Sequence, residues 1–413
     1  MIRLRFILLL WIFRLCSVWA ADDWPQFRGP NGDGHADATG LPATWSETEN
    51  VRWKTLIPGE GWSSPVILGP QVWMTTALEN GKSLRAVCVD KESGKILRNV
   101  ELFHPADPGP KNPLNSFASP TPVIEPGRVY VSFGHNGNAC LATQTGAVLW
   151  RHQLLKLNHA VGAGSSPMLY RNLFILNCDG MDVRYVAALD KQTGRLVWKT
   201  NRSKVITQPS EHNKAYSIPM VLNSGGQDQL VSVGAHRVSA YEPMTGRELW
   251  WCDLPGFSNT PRPIYGHGLV YVGTGFDDPE LWALRPGGTG DVTSTHVAWT
   301  HKANAALKPS LLLVDDELYM VSDSGTVSCL DGRTGAELWR ERIGGQYSAS
   351  PVYADGRIYC FSQDGKTTVF KPGRAYQAVA TNQLDAGFMA SPAIAGHALY
   401  LRTKTHLYRI EKP

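Results

Sequence analysis

The sequence predicts an all-β protein, an eight-bladed β-propeller of four-stranded antiparallel blades, and three observations predict it. A turn built from an acidic or polar residue, two spacers and Thr-Gly, leading to Trp, recurs along the chain. A small residue and Pro open a short apolar strand eight times. The chain also ends one strand short of a blade, while Val51-Arg52-Trp53-Lys54 near its start carries the pattern of the missing strand.

Four copies of the turn are nearly uniform: Thr145-Gly146 leading to Trp150, Asp190 with Thr193-Gly194 leading to Trp198, Glu242 with Thr245-Gly246 leading to Trp250, and Asp331 with Thr334-Gly335 leading to Trp339. A degenerate copy runs from Asp90 through Ser93-Gly94 to Leu97, and a stretched one from Arg285 through Thr289-Gly290 to Trp299. Asp and Thr bond the local backbone and Gly accepts positive φ, so each segment is a hairpin turn. A large ring at one position of the outgoing strand, once per unit, fills the wedge between neighbouring sheets. On this reading Trp53, Trp150, Trp198, Trp250, Trp299 and Trp339 are docking residues.

The strand openers are Ser64-Pro65, Thr121-Pro122, Ser166-Pro167, Ile218-Pro219, Arg262-Pro263, Lys308-Pro309, Ser350-Pro351 and Ser391-Pro392, with prolines 41 to 57 residues apart, the period of a four-stranded blade. Proline at a strand's first residue removes no ladder donor. An open β-solenoid, or a seven-bladed ring with one irregular insertion, would share these repeats. Docking Val51-Arg52-Trp53-Lys54 beside the last three strands closes the ring and removes its exposed edges, which favours eight.

Residues 1–20 carry Arg3 and Arg5, an apolar run of eight residues and then Val18-Trp19-Ala20, the layout of a cleaved export signal and too short for a membrane span. The domain organisation expected is therefore a signal peptide over 1–20, an N-terminal extension over 21–50 and the propeller over 51–413. Losing the leader takes the formal net charge from +4 to +1, and no dense Lys/Arg run follows, which excludes a nucleic-acid partner. The expected product is an exported monomer, periplasmic or extracellular, that does not span the membrane. Cys88, Cys140 and Cys329 share one repeat position, where another unit has Ala188, and Cys178 and Cys360 share a second. That pattern reads as small buried fillers rather than disulfide partners.

Taken together, the Asp-x-x-Thr-Gly-x-x-x-Trp units and Ser-Pro openers resemble the pyrroloquinoline quinone (PQQ) repeat, from about residue 51 to the end. The resemblance implies the ring of quinoprotein alcohol dehydrogenases and of their non-enzymatic BamB-like relatives, and it does not choose between them. Trp24-Pro25-Gln26-Phe27-Arg28-Gly29 looks like the lead-in before such propellers in exported bacterial proteins. Trp24, Phe27 and Arg28 could form a ligand-binding arm, but an extension packed on the ring is expected.

A quinoprotein dehydrogenase would imply an Asp base, Glu and Asn oxygens on Ca²⁺ and commonly a vicinal Cys pair. The chain has no adjacent cysteines and is shorter than those enzymes. No zinc-protease, nucleophile-elbow, P-loop or haem-attachment motif occurs, Gly287-Gly288-Thr289-Gly290 falls at a repeat hairpin, and Asn31, Asp33 and Asp37 lack the spacing of a calcium loop. His104, His135, His159, His212, His236 and His267 have no ligand spacing and read as solvated or capping histidines. Two long loops, from Phe103 to Asn115 and from Lys204 to Tyr216, precede strand openers and so fall on one face, which is expected to bind a ligand or partner. The expectation is a non-enzymatic scaffold binding a protein or envelope component, without catalytic residues or metal. The alternative is a PQQ- and calcium-dependent dehydrogenase or a PQQ sensor.

Overall fold

The computed structural model describes residues 22–203, 209–277 and 279–413. Eight antiparallel sheets follow one another around a ring. The first contains Val66–Leu68, Gln71–Leu78, Ser83–Asp90 and Ile96–Phe103. The eighth contains Ala393–Ala395, Ala398–Arg402 and His406–Ile410, and its fourth strand is Val51–Leu56 from the other end of the chain. That strand closes the ring as the sequence implied. The leader expected over residues 1–20, and 204–208 of the second long loop, lie outside the described residues.

Each blade begins with a short strand that packs beside the first strands of its neighbours and ends with a strand whose outer face is exposed, as in Met168–Tyr170 and Leu196–Asn201 of the third blade. The first strand of every blade starts at one face of the ring, called here the funnel face, and the Thr-Gly turns lie at the opposite face. In those turns the Thr or Ser amide and hydroxyl both donate to the acid that opens the turn, at 2.7 to 3.0 Å for Asp90, Asp190 and Asp331. These bonds hold all three carboxyls below the usual carboxylate range.

The tryptophans that follow the turns meet the next blade. The indole N–H of Trp53 donates to Lys91 O, that of Trp150 to Lys191 O, that of Trp198 to Pro243 O and that of Trp339 to Gly373 O, at 2.9 to 3.1 Å. The rings of Trp53, Trp150, Trp198 and Trp299 lie on the next blade's turn glycine: a Cβ at Gly194 would sit 2.7 Å from the Trp150 ring and one at Gly335 2.5 Å from that of Trp299. Trp250 instead turns its N–H to Gln229 within its own blade, and the Trp299 N–H has no partner among the described residues. Across the third ladder each ring faces a small residue: Cys140 opposite Trp150, Ala188 opposite Trp198, Ala240 opposite Trp250 and Cys329 opposite Trp339. Trp53 of the closing strand is the exception, opposite Arg409.

All six described cysteines are free and buried. Burial pushes the Cys88 and Cys329 thiols up to about 12 and those of Cys140 and Cys252 up to about 11. A chain begun at Asp22 should therefore show no thiol reacting with Ellman's reagent in buffer and six in guanidinium; a fast native thiol would contradict the packing.

Two details differ from the repeat pattern. The stretched unit before Trp299 lays Gly290–Asp291 in parallel on the outer strand of the fourth blade, making it five-stranded. The sixth opener is Ser310-Leu311 rather than Lys308-Pro309, because Ser310 occupies the position of Ser350 and Ser391, and the strand begins at Leu312.

Candidate functional site

The residue before each opening Pro matters for its hydroxyl. Backbone N–H groups donate to the hydroxyl of the next blade, Ser64 to Thr121, Thr121 to Ser166, Arg262 to Ser310, Ser310 to Ser350 and Ser350 to Ser391, at 2.8 to 3.0 Å. Ile218 and Arg262, which carry no hydroxyl, interrupt the circuit in the fourth and fifth blades. This hydroxyl ring forms the throat of a cavity of about 400 Å³ opening on the funnel face. That volume is within the usual range for a small-molecule or side-chain site.

The loops from the fourth strand of one blade to the first strand of the next build the walls. Asn112, Leu114 and Asn115 come from the first long loop and Lys214 and Tyr216 from the second, so both loops do reach one face and one cavity. Trp62, Phe257 and Phe276 add aromatic faces, and Lys308 adds a second amine. Lys308 is ion-paired with Asp323. Lys214 stands 5.8 Å over the Phe257 ring and makes no ion pair among the described residues. Among the described residues no Asp or Glu lines the cavity.

The floor is the N-terminal extension, which packs on the ring as expected and does so against the inner strands of the blades. Trp24 exchanges backbone hydrogen bonds of 2.8 Å with Ile67 of the first blade, and Pro25 O accepts from Ile124 N of the second. The chain turns at Phe27, which lines the cavity. It then descends with His35–Ala36 paired in parallel to Val352–Ala354 of the seventh blade. Arg28 is fully buried; its guanidinium donates to Pro351 O at 3.1 Å, Leu311 O at 2.6 Å and Asp33 O. Arg262 reaches in from the fifth blade to Phe27 O at 3.0 Å. Burial, partly offset by Asp33, brings the Arg28 pKa down to about 9 and that of Arg262 to about 10. Of the suggested arm, Phe27 alone faces the cavity, and Trp24 and Arg28 are structural.

The histidines divide. His135 and His159 lie 5.5 Å apart by ring centroid, and His212 stacks on Phe257 at 4.2 Å with His236 beside it, all near the funnel face. Burial drives His159 down to about 3, so it is a neutral packing ring. His267 sits at a turn on the opposite face, bonded to Asp315 O, and does not join them. Among the described residues no three His, Cys, Asp or Glu side chains gather to hold a metal ion, and Asp33 instead accepts from His35 N at 3.0 Å. Calcium with PQQ needs hard carboxylate oxygens and an acidic base beside the quinone, and the described residues of the cavity's walls include neither Asp nor Glu. Sequence reasoning located the loops but missed Phe27, Lys214 and the hydroxyl ring as one site. The Ser and Thr openers were the available signal.

A sequence model of the family described as outer membrane protein assembly factor BamB matches residues 182–412. A protein of that description from Yersinia pestis is 24% identical over 204 residues, 44% of this chain and 48% of the relative, so the match spans about half that protein's length. Among solved structures, BamB from Moraxella catarrhalis superposes with a TM-score of 0.60 at 14% identity, over 87% of this chain and 99% of that one. Quinohemoprotein alcohol dehydrogenase from Comamonas testosteroni superposes with a TM-score of 0.67 at 10% identity, over 95% and 81%. At such identities the likeness extends to the ring alone.

Proposed function

Because the chain belongs to the family of the outer membrane protein assembly factor BamB, we propose that it is a non-catalytic, exported scaffold of the cell envelope that receives a protein or envelope component on its funnel face. The carrying observation is the chemistry of the cavity: hydroxyl donors, aromatic faces and two amines, with no carboxylate among the described residues to act as base or cation ligand. Such walls recognise; they do not move protons. The relatives' description as assembly factors supports the same reading, and in the described residues no helix is long and apolar enough to cross a membrane. In this proposal the propeller is rigid, with Trp53, Trp150, Trp198, Trp250, Trp299 and Trp339 docking its rim. Export by the leader over 1–20 and monomeric action belong to the same proposal.

The test places a photo-crosslinking amino acid at exposed Leu114 or Leu154 on the funnel face and at exposed Gln192 on the turn face. In the native envelope the first two should give discrete protein adducts and the third none. Purified chain passed through a desalting column after incubation with PQQ and Ca²⁺ should retain no quinone. Equal labelling of both faces would remove the assigned surface, and stoichiometric quinone would replace the scaffold with a dehydrogenase.

A further inference from the structure

The cavity has a sign. Thr121, Ser166, Ser310, Ser350 and Ser391 each use the hydroxyl oxygen to accept a backbone N–H, and among the described residues none of their protons has an acceptor. Each hydroxyl keeps one donor for whatever enters. Lys214 adds an amine with no ion-pair partner among the described residues. Beneath the Phe27 floor Arg28 and Arg262 are both buried, the charge of Arg262 adds to burial in lowering the Arg28 pKa, and Asp33 is the acid acting on both. Donors, amines and buried cations thus surround a space that no carboxylate of the described residues lines. Buried charge of one sign focuses potential into a cleft with low-dielectric walls. The rest of the lining is apolar: Trp62, Leu114, Tyr216, Phe257, Phe276 and Met389.

We propose that the cavity binds a carboxylate carried on an aromatic or aliphatic body, the anion toward the hydroxyl throat and Lys214 and the body against the aromatic walls. This rests on the binding reading above and names its ligand class. The group can come from the end of a polypeptide or from a free organic acid; both present the same chemistry.

Ligand-observed NMR, which reads millimolar affinities, tests this with 3-phenylpropionate against its uncharged amide. The acid should bind and the amide bind at least tenfold more weakly, since a charge-assisted hydrogen bond is worth about a factor of ten or more. Lys214→Gln, at a partly exposed site that leaves the ring intact, should weaken the acid about tenfold and leave the amide unchanged. N-acetyl-Gly-Phe with a free or an amidated terminus, run beside the free acid, tells which source is preferred, and tighter binding of either anion supports the site. Equal binding of acid and amide, or none by either, overturns the proposal. Retention of PQQ with calcium would instead overturn the non-catalytic reading, so the two failures are told apart.

Discussion

Asp179→Ala is expected to cost about 3–5 kcal/mol of folding stability, read as a lower denaturant midpoint, because it leaves a buried guanidinium without its counter-ion. Asp179 ends the second strand of the third blade and Arg202 lies just beyond the fourth. They form a two-bonded pair, Nε to Oδ1 at 2.7 Å and Nη2 to Oδ2 at 2.8 Å, with both side chains fully buried. Arg202 Nη2 also donates to Ser232 Oγ in the fourth blade at 2.7 Å, and Ser232 donates back to Asn177 Oδ1 at 2.7 Å, so the pair stitches two blades together. Burial alone would lower the Arg202 pKa; the charge and hydrogen bonds of Asp179, together with Tyr241 and Glu248, outweigh it and raise it. Arg184, a second buried cation, sits close by and donates to Ala235 O at 3.0 Å. Without Asp179 the two guanidinium groups face each other across a low-dielectric gap. The double variant Asp179→Ala/Arg202→Met should recover most of the loss, since it removes the stranded charge together with its partner. A single variant within 1 kcal/mol of the parent, or a double variant no better than the single, would show that the pair does not brace this junction.

Nothing in the sequence announced that pair. Asp179-Gly180 reads as one more turn, and the partner lies 23 residues away at the edge of an irregular loop. The blades themselves were legible because their signals are local. Proline at a strand start, an acid three residues before Thr, and Gly under the preceding blade's ring are each needed within a few residues of where they act. Ring closure was legible for a related reason: a strand count that comes out one short has one place to find the missing strand. Two features were not local. The sixth opener was placed two residues early because Lys308-Pro309 mimics the pattern, whereas the feature the ring requires is the Ser310 hydroxyl facing Arg262 N. The extension carries no repeat at all, and its course is set by contacts to blades as far along the chain as Pro351.

The candidate site was half legible for the same reason. Long loops before strand openers fall on one face, and Asn112, Leu114, Lys214 and Tyr216 do meet around one cavity. Its sign could not be read, because a sequence near charge balance hides where each charge lies. Arg28 and Arg262 are 234 positions apart and meet only once the extension is packed on the ring.

That packing makes Trp24 the anchor of the floor, and Trp24→Ala is expected to cost about 3–5 kcal/mol, the range for truncating a fully buried large aromatic ring. The side chain is 1% exposed and belongs to the same core as Ile67, Val72 and Leu399, from the first and eighth blades. Gly29 lies directly on its ring; a Cβ there would sit 2.8 Å from it, so ring and turn fix each other. Loss of the ring removes apolar contact on both sides of the blade junction and frees the turn that presents Phe27 to the cavity. The variant should therefore unfold at lower denaturant and also admit protease between residues 24 and 30, where the parent is buried or half-buried throughout. Trp299→Ala makes the comparison: that ring is only partly buried and its N–H has no partner in the described residues, so its removal should cost less than half as much. A Trp24 variant no weaker than the Trp299 variant, with the extension still protected, would mean that the hydrogen bonds of Arg28 alone hold the arm, and the floor would then have to be assigned to Arg28 rather than to packing.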